Sequence, residues 1–100
     1  MPTDPTFRMT VQDVFSIKGR GTVVIGQIES GSITVGDEIQ IQRQGSMKKT
    51  VVTGVEIFRK VVTRAQAGDN VGLLMKDIAK EDVQGGDVLM GSDSEFTWKV

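Results

Sequence analysis

The chain has 100 residues, which is enough for one domain with a single hydrophobic core. Its 12 Lys and Arg nearly balance its 13 Asp and Glu, and a net charge of −1 does not favour a surface that binds nucleic acid all over. The sequence contains no Cys and no His, which excludes disulfides, thiol nucleophiles, imidazole bases and zinc sites built from Cys and His.

The first six residues are polar and include Pro2 and Pro5, so we expect residues 1–6 to form a flexible arm. They lack the apolar core of a secretion signal. No other stretch reaches the apolar length of a membrane span. We therefore expect a soluble cytoplasmic protein without a membrane partner.

From Phe7 onward, apolar and polar residues alternate in short segments that predict β-strands. The alternation slips near residues 12–13, which indicates a β-bulge there. A hairpin follows at Gly19-Arg20-Gly21, and its second strand is predicted at 22–29. Because glycine on both sides of Arg20 permits positive φ, we expect the turn to hold the guanidinium at the hairpin tip instead of folding it back.

The rest of the chain supplies further strands, which are predicted at 32–35, 38–43, 50–58, 61–62, 70–76 and 87–90. A single helical turn is expected at 78–83. Six or more short strands without a long helical period indicate an antiparallel barrel or sandwich. We favour a closed barrel because closure leaves no apolar strand edge exposed. The expected domain is 7–90, followed by a tail, 91–100, in which Trp98 packs on the barrel.

Strand alternation also predicts which side chains face outward. If Val24 and Ile28 lie inside, Val23 and Ile25 lie outside. On the strand at 50–58, the expected inward residues are Val51, Val55 and Ile57, and the outward ones Val52, Gly54 and Glu56. On the strand at 70–76, the outward residues are Asn70, Gly72 and Leu74. With Ile17, such a surface suits a stacked base with a hydroxyl to hold, although alternation alone favours a surface that simply covers a helix, the tail or another subunit.

A set of short motifs occurs in order along most of the chain: Asp13-Val14-Phe15, Gly19-Arg20-Gly21-Thr22-Val23, Gly26, Gly31, Val35-Gly36-Asp37, Gly54-Val55-Glu56, Ala67-Gly68-Asp69-Asn70-Val71-Gly72 and Gly86-Asp87-Val88-Leu89. Together they resemble domain 2 of translation elongation factor Tu and related translational GTPases. The resemblance implies an all-β fold, a closed six-stranded antiparallel barrel. In elongation factor Tu this barrel lies between a GTPase domain and a second barrel, and it receives the 3′ end of aminoacyl-tRNA.

The resemblance also implies an RNA 3′-end site made of Phe15, Ile17, Gly19, Arg20, Val23, Glu56, Asn70 and Leu74. Glu56 would hold the ribose or base of the terminal adenosine, and Phe15 and Asn70 would border the aminoacyl group. Arg20 would contact RNA phosphate or ribosomal RNA, or else be an ordinary exposed tip, and the remaining residues would contact the adenine. The family commonly has an acidic residue where this chain has Gln12, and a threonine where it has Ile25. The adenine half is therefore better matched than the aminoacyl half.

Catalytic motifs are absent from the sequence. The Gly19-Arg20-Gly21-Thr22 stretch lacks the spacing and the lysine of a GxxxxGK phosphate loop, so we expect no GTP binding, no cofactor, no metal and no enzyme activity. Nothing brings Asp13 and Glu56 together as an acid–base pair, and no nucleophile accompanies them. The expected function is a non-catalytic module that weakly binds a tRNA 3′ end or ribosomal RNA in translation. The alternative is a barrel that binds another protein or itself, without RNA.

Overall fold

The computed structural model describes residues 4–91. In chain order, its elements are β1 (Arg8–Thr10), β2 (Asp13–Ile17), β3 (Gly21–Ser30), β4 (Ser32–Thr34), β5 (Glu38–Arg43), β6 (Ser46–Ile57), β7 (Lys60–Val62), β8 (Arg64–Gln66), β9 (Asn70–Met75), a 3₁₀ turn (Lys80–Asp82) and β10 (Val88–Gly91). No α-helix occurs within 4–91, and no helix there is long and apolar enough to cross a membrane.

Six strands close into an antiparallel barrel in the order β1, β10, β5, β6, β9 and β3, and β3 pairs back to β1. β2 pairs with β3, β7 pairs with β6, and β4 and β8 form a separate two-stranded sheet. The all-β fold and the closed six-stranded barrel are therefore confirmed, and the sandwich is not formed. β1 and β10, the first and last strands along the chain, pair with each other. Each also pairs with a second strand, β3 and β5 respectively, so both have partners on both sides.

The slip in alternation predicted near residues 12–13 separates β1 from β2. Gln12 and Asp13 are both exposed, which allows Val11 and Val14 both to face the core. The Gln12 amide still donates to the carbonyl of Ile25, with an N to O distance of 2.8 Å. β1 and β2 thus pair with successive parts of β3, and the outward residues Gln12 and Asp13 form the junction between them.

The core confirms most of the inward positions predicted by alternation. Val24 and Ile28 are buried, and Gly26 lies buried between them. A Cβ on Gly26 would lie 2.6 Å from the carbonyl oxygen of Thr10, so only glycine permits this close approach of β1 and β3. The other fully buried large residues are Phe7, Met9, Ile33, Ile39, Leu73, Met75, Leu89, Val52, Val55 and Val83.

β6 begins at Ser46 and contains a bulge that the sequence analysis missed. Its register with β9 shifts between Val52 and Gly54, which leaves Thr53 as an extra residue. The prediction for Val52 was wrong, since it is fully buried, and Val51 is only half-buried instead of lying in the core. Past the bulge, the predicted alternation holds again and Gly54 faces outward.

Three turns of one geometry lead into strands of the barrel, at 34–37, 66–69 and 84–87. Each has glycine as its third residue, with φ of 98°, 96° and 94°, as a type II turn requires. Each ends in aspartate, whose amide donates to the carbonyl of the first residue. The aspartate Oδ2 accepts the amide of the first residue at 2.9 Å in all three turns. Each Gly-Asp pair therefore ends one segment and starts β5, β9 or β10.

Both ends of the described chain contact the barrel. The Asp4 carboxylate accepts hydrogen bonds from the amide of Thr6 at 2.8 Å and the amide of Ser32 at 3.1 Å. Gly91 is the last residue of β10, and its amide donates to the carbonyl of Phe7. Trp98 and the rest of 92–100, like residues 1–3, lie outside the described residues.

Candidate functional site

Four neighbouring strands, β2, β3, β9 and β6, place outward residues in two rows, here termed the outer face. The first row consists of Phe15, Val23, Leu74 and Gly54. The second row consists of Asp13, Ile25, Gly72 and Glu56, and continues on β7 to Val61. Strand pairing therefore brings together six of the sequence-predicted outward residues, which lie on three strands that are far apart in the chain.

The middle of the outer face is aliphatic and shallow. Val23, Ile25 and Leu74 are half-buried. A Cβ on Gly54 would lie 3.3 Å from the Cβ of Leu74, and one on Gly72 would lie 3.2 Å from the Cδ1 of Ile25. Because these two glycines carry no side chain, the aliphatic groups form a floor on which a planar ligand can lie.

The side of the outer face along β2 is apolar and exposed. Phe15 is 48% exposed and Ile17 is 38% exposed. Within the described residues, β2 pairs with β3 alone, so its other side carries no strand. Large apolar side chains grouped at this exposure mark a surface that a ligand or a protein could cover.

Arg20 does not stand alone at the hairpin tip, and the expectation that it would not fold back was wrong. Its Nη2 donates to the Glu56 Oε2 at 3.0 Å. Gly19 and Gly21 do adopt positive φ, of 82° and 107°, and the Arg20 amide donates to the carbonyl of Ile17. The turn is thus as predicted, but opposite charge two strands away draws the side chain back over the barrel.

The Arg20–Glu56 ion pair spans the first row of the outer face. Gly21, next to Arg20, lies on the tip side of Val23, whereas Glu56 lies in the second row with Ile25. The two side chains are 52% and 34% exposed, so water surrounds much of the pair. The carboxylate that the sequence predicts as a ligand acceptor is therefore already engaged by a cation of the same chain.

The two remaining predicted residues lie at the margins of the outer face. Asn70 begins β9 opposite Gln27, beyond the second row, and is exposed. A Cβ on Gly19 would have no heavy atom within 4 Å, so the tip of the β2–β3 hairpin is open on that side. Asn70 therefore lies at the end of its strand, beyond the aliphatic floor.

Sequence reasoning missed the contribution of the β6–β7 hairpin. Val61 lies opposite Glu56 and is 78% exposed, so it extends the second row. The two turn residues, Phe58 and Arg59, have φ of 51° and 67°, and Phe58 is 85% exposed. Such turns usually contain Asn, Asp or Gly, which is why no local signal revealed the hairpin or the position of Val61.

The chemistry of the outer face is that of binding. Asp13 and Glu56 share the second row, but Ile25 and Gly72 lie between them. The Asp13 carboxylate accepts the amide of Val14 at 2.9 Å. Within 4–91, no three acidic side chains group so that they could hold a metal ion. The face offers apolar contact, the carboxylates of Glu56 and Asp13, and one arginine.

This architecture is a small closed β-barrel with an outer face that is aliphatic at its centre. Comparison with known protein families matches residues 21–90, more than half of the chain, to the family described as Elongation factor Tu domain 2. The chain belongs to the elongation factor Tu domain 2 family, which confirms the resemblance seen in the motifs. The chain is thus related to translation factors, and domain 2 is a non-catalytic domain of the elongation factor Tu GTPase.

Proposed function

We propose that this protein is a non-catalytic module of translation that binds the adenosine end of an RNA on its outer face. The observation that carries the proposal is the strand register, which sets an aliphatic, glycine-flattened floor beside the Glu56 carboxylate. An adenine is planar and can stack on such a floor, and a ribose hydroxyl can donate to a carboxylate. The CCA end of a tRNA has this chemistry, and ribosomal RNA is the other RNA partner of the proposal.

The expected affinity is low. One stacked base contributes about 1–3 kcal/mol, and a hydroxyl bound to a charged acceptor about 1.5–3 kcal/mol. Their sum is near the roughly 4 kcal/mol of a millimolar complex, before the cost of orienting the ligand. With a net charge of −1 the protein releases few counterions, so binding should depend little on salt.

The adenosine part of the proposed site is better supported than the aminoacyl part. Ile25 lies in the second row, where the family commonly supplies a threonine hydroxyl, and Gln12 is an exposed neutral residue. Phe15 and Asn70 remain the residues proposed to border an aminoacyl group. In this role the protein needs no cofactor, binds no GTP, and acts in the cytoplasm, where translation takes place.

A protein-binding role is the second candidate. Phe58 is 85% exposed and Val61 is 78% exposed, and both lie on the Glu56 side of the outer face, beyond the floor that one adenosine would cover. Exposed apolar side chains of this size suit a protein partner or a second copy of the chain. A sizing column run beside the RNA titration separates the two candidates.

The test of RNA binding is an amide chemical-shift titration with a CCA trinucleotide that ends in adenosine. Shifts should gather on the outer face, at Ile17, Gly19, Val23, Glu56 and Leu74. Glu56→Gln should weaken binding more than the control Lys49→Gln, because Lys49 lies on β6 away from both rows. Shifts at Lys48, Lys49 and Arg64 would place the RNA elsewhere. No shift at millimolar RNA, together with a dimer on the column, would favour the protein interface.

A further inference from the structure

The Arg20–Glu56 ion pair engages one oxygen of the carboxylate that the proposed ligand needs. The Glu56 Oε2 accepts the Arg20 Nη2 at 3.0 Å, and the pair spans the row that contains Val23 and Leu74. A ribose hydroxyl that binds this carboxylate competes with the guanidinium for it, since Oε2 is already bonded. Binding of an adenosine therefore has to be coupled to the position of the Arg20 side chain.

The ion pair is held weakly enough to open. It consists of one hydrogen bond between side chains that are 52% and 34% exposed, without the two parallel bonds of a bidentate arginine pair. Exposed pairs of this kind shift an equilibrium by only about 1.5- to 5-fold. The glycines on both sides of Arg20 put no side chain in the way of its movement.

Arg20 has a second place to go. It lines a groove of about 780 Å³ at the end of the barrel, together with Thr53, Lys76 and Asp77. Lys76 is exposed and makes no ion pair with any residue in 4–91. A guanidinium that leaves Glu56 can therefore turn towards this groove, where Lys76 supplies a second cation beside Asp77, and where Asp82 is already paired with Lys48 at 3.2 Å.

We propose that Arg20 gates the outer face and makes it selective for an adenosine that carries a 5′ phosphate. Without RNA, the guanidinium holds Glu56. When a nucleotide binds, its 5′ phosphate attracts the guanidinium towards Lys76. The released carboxylate then accepts a hydrogen bond from the ribose hydroxyl. The arginine exchanges the Glu56 carboxylate for a phosphate, so only a ligand with a phosphate compensates for the broken ion pair. An adenosine at the 3′ end of an RNA chain has such a phosphate on its 5′ side.

This proposal rests on the proposed function and makes opposite predictions for two ligands. Removing Arg20 leaves Glu56 always available, so the apparent affinity for adenosine, which has no phosphate, should rise about 1.5- to 5-fold. Affinity for adenosine 5′-monophosphate should fall about 2- to 10-fold, because the phosphate loses its partner. If Arg20 only supported the fold, its removal would lower the affinity for both ligands together.

The experiment is an amide chemical-shift titration of the full chain with adenosine and with adenosine 5′-monophosphate, at constant ionic strength. The proteins are the unmodified chain, Arg20→Ala and the control Arg64→Ala, which removes one exposed arginine on β8, away from the outer face and from Lys76. Well-dispersed spectra of each variant show that it is folded. In Arg20→Ala the preference for the phosphorylated ligand should be lost or reversed, while Arg64→Ala should keep the preference of the unmodified chain.

Three other outcomes contradict either the gate alone or the proposed function as well. If Arg20→Ala leaves both affinities unchanged, or changes both by the same factor relative to the unmodified chain, the gate is wrong while adenosine binding stands. If Arg64→Ala loses the preference as Arg20→Ala does, overall charge is responsible and the gate is again wrong. If no protein shows shifts with either ligand at millimolar concentration, the proposed function fails and the gate fails with it.

Discussion

Replacing Asp87 with alanine should destabilise the barrel more than the same change at Asp69, although both carboxylates close turns of the same geometry. Each Oδ2 accepts the amide of the residue three positions earlier at 2.9 Å. Asp87 is only 5% exposed and also accepts the Arg43 Nε at 3.1 Å. Asp69 is half-buried and its carboxylate makes no ion pair with any residue in 4–91.

The expected magnitudes follow from these contacts. Losing the turn bond costs about 0.5–1.5 kcal/mol at either position. At Asp87 the charge-assisted bond from Arg43 adds about 1.5–3 kcal/mol, since that side chain is 30% exposed and the pair is only partly screened. Asp87→Ala should therefore lower the free energy of unfolding by about 2–4.5 kcal/mol and Asp69→Ala by about 0.5–1.5 kcal/mol.

Urea denaturation followed by far-UV circular dichroism measures both values. With a slope of about 1–2 kcal/mol per molar urea for a small domain, the two midpoints should differ by roughly 1 M or more. Arg43→Ala completes a double-mutant cycle with Asp87→Ala, and the coupling free energy should be about 1.5–3 kcal/mol. Equal losses at Asp69 and Asp87, or a coupling below about 0.5 kcal/mol, would refute the reasoning.

Three further predictions concern packing, pH and nucleotide binding. Gly26→Ala should cost about 1–3 kcal/mol in urea denaturation, because its Cβ would meet the Thr10 carbonyl oxygen at 2.6 Å, whereas Gly72→Ala meets only movable side chains and should cost less. The Thr10 hydroxyl, and then Arg8, lower the pKa of Glu29, so its stabilising contribution is present above the ordinary pKa and is lost as pH falls through the folded pKa. In acid denaturation Glu29→Gln should therefore show a smaller loss of stability below about pH 4.5 than the unmodified chain, and an identical pH profile would contradict this. Calorimetry should detect no micromolar binding of GTP, because the sequence has no phosphate loop, and a measurable heat of binding would overturn that expectation.

The sequence by itself determined the features that depend on neighbouring residues. Alternation predicted barrel strands at 38–43 and 70–76, and the structure has them at Glu38–Arg43 and Asn70–Met75. Glycine precedes Asp37, Asp69 and Asp87 in the sequence, and a type II turn needs positive φ at its third residue, so these turns depend on local residues. The ordered motifs identified the family, and alternation placed Val23, Leu74 and Glu56 outside the barrel.

Only the tertiary structure decided the features that depend on how separate strands meet. The bulge at Thr53 is defined by the register of β6 against β9, so nothing within β6 distinguishes Val52 from an outward residue. Val61 joined the outer face because a hairpin without glycine folds β7 against Glu56. The direction of Arg20 was also beyond local reasoning, since the turn permits a side chain that points away from the barrel. It points to Glu56 because strand pairing brings the two opposite charges within 3.0 Å, and Coulomb attraction acts on that spatial distance and not on separation along the chain.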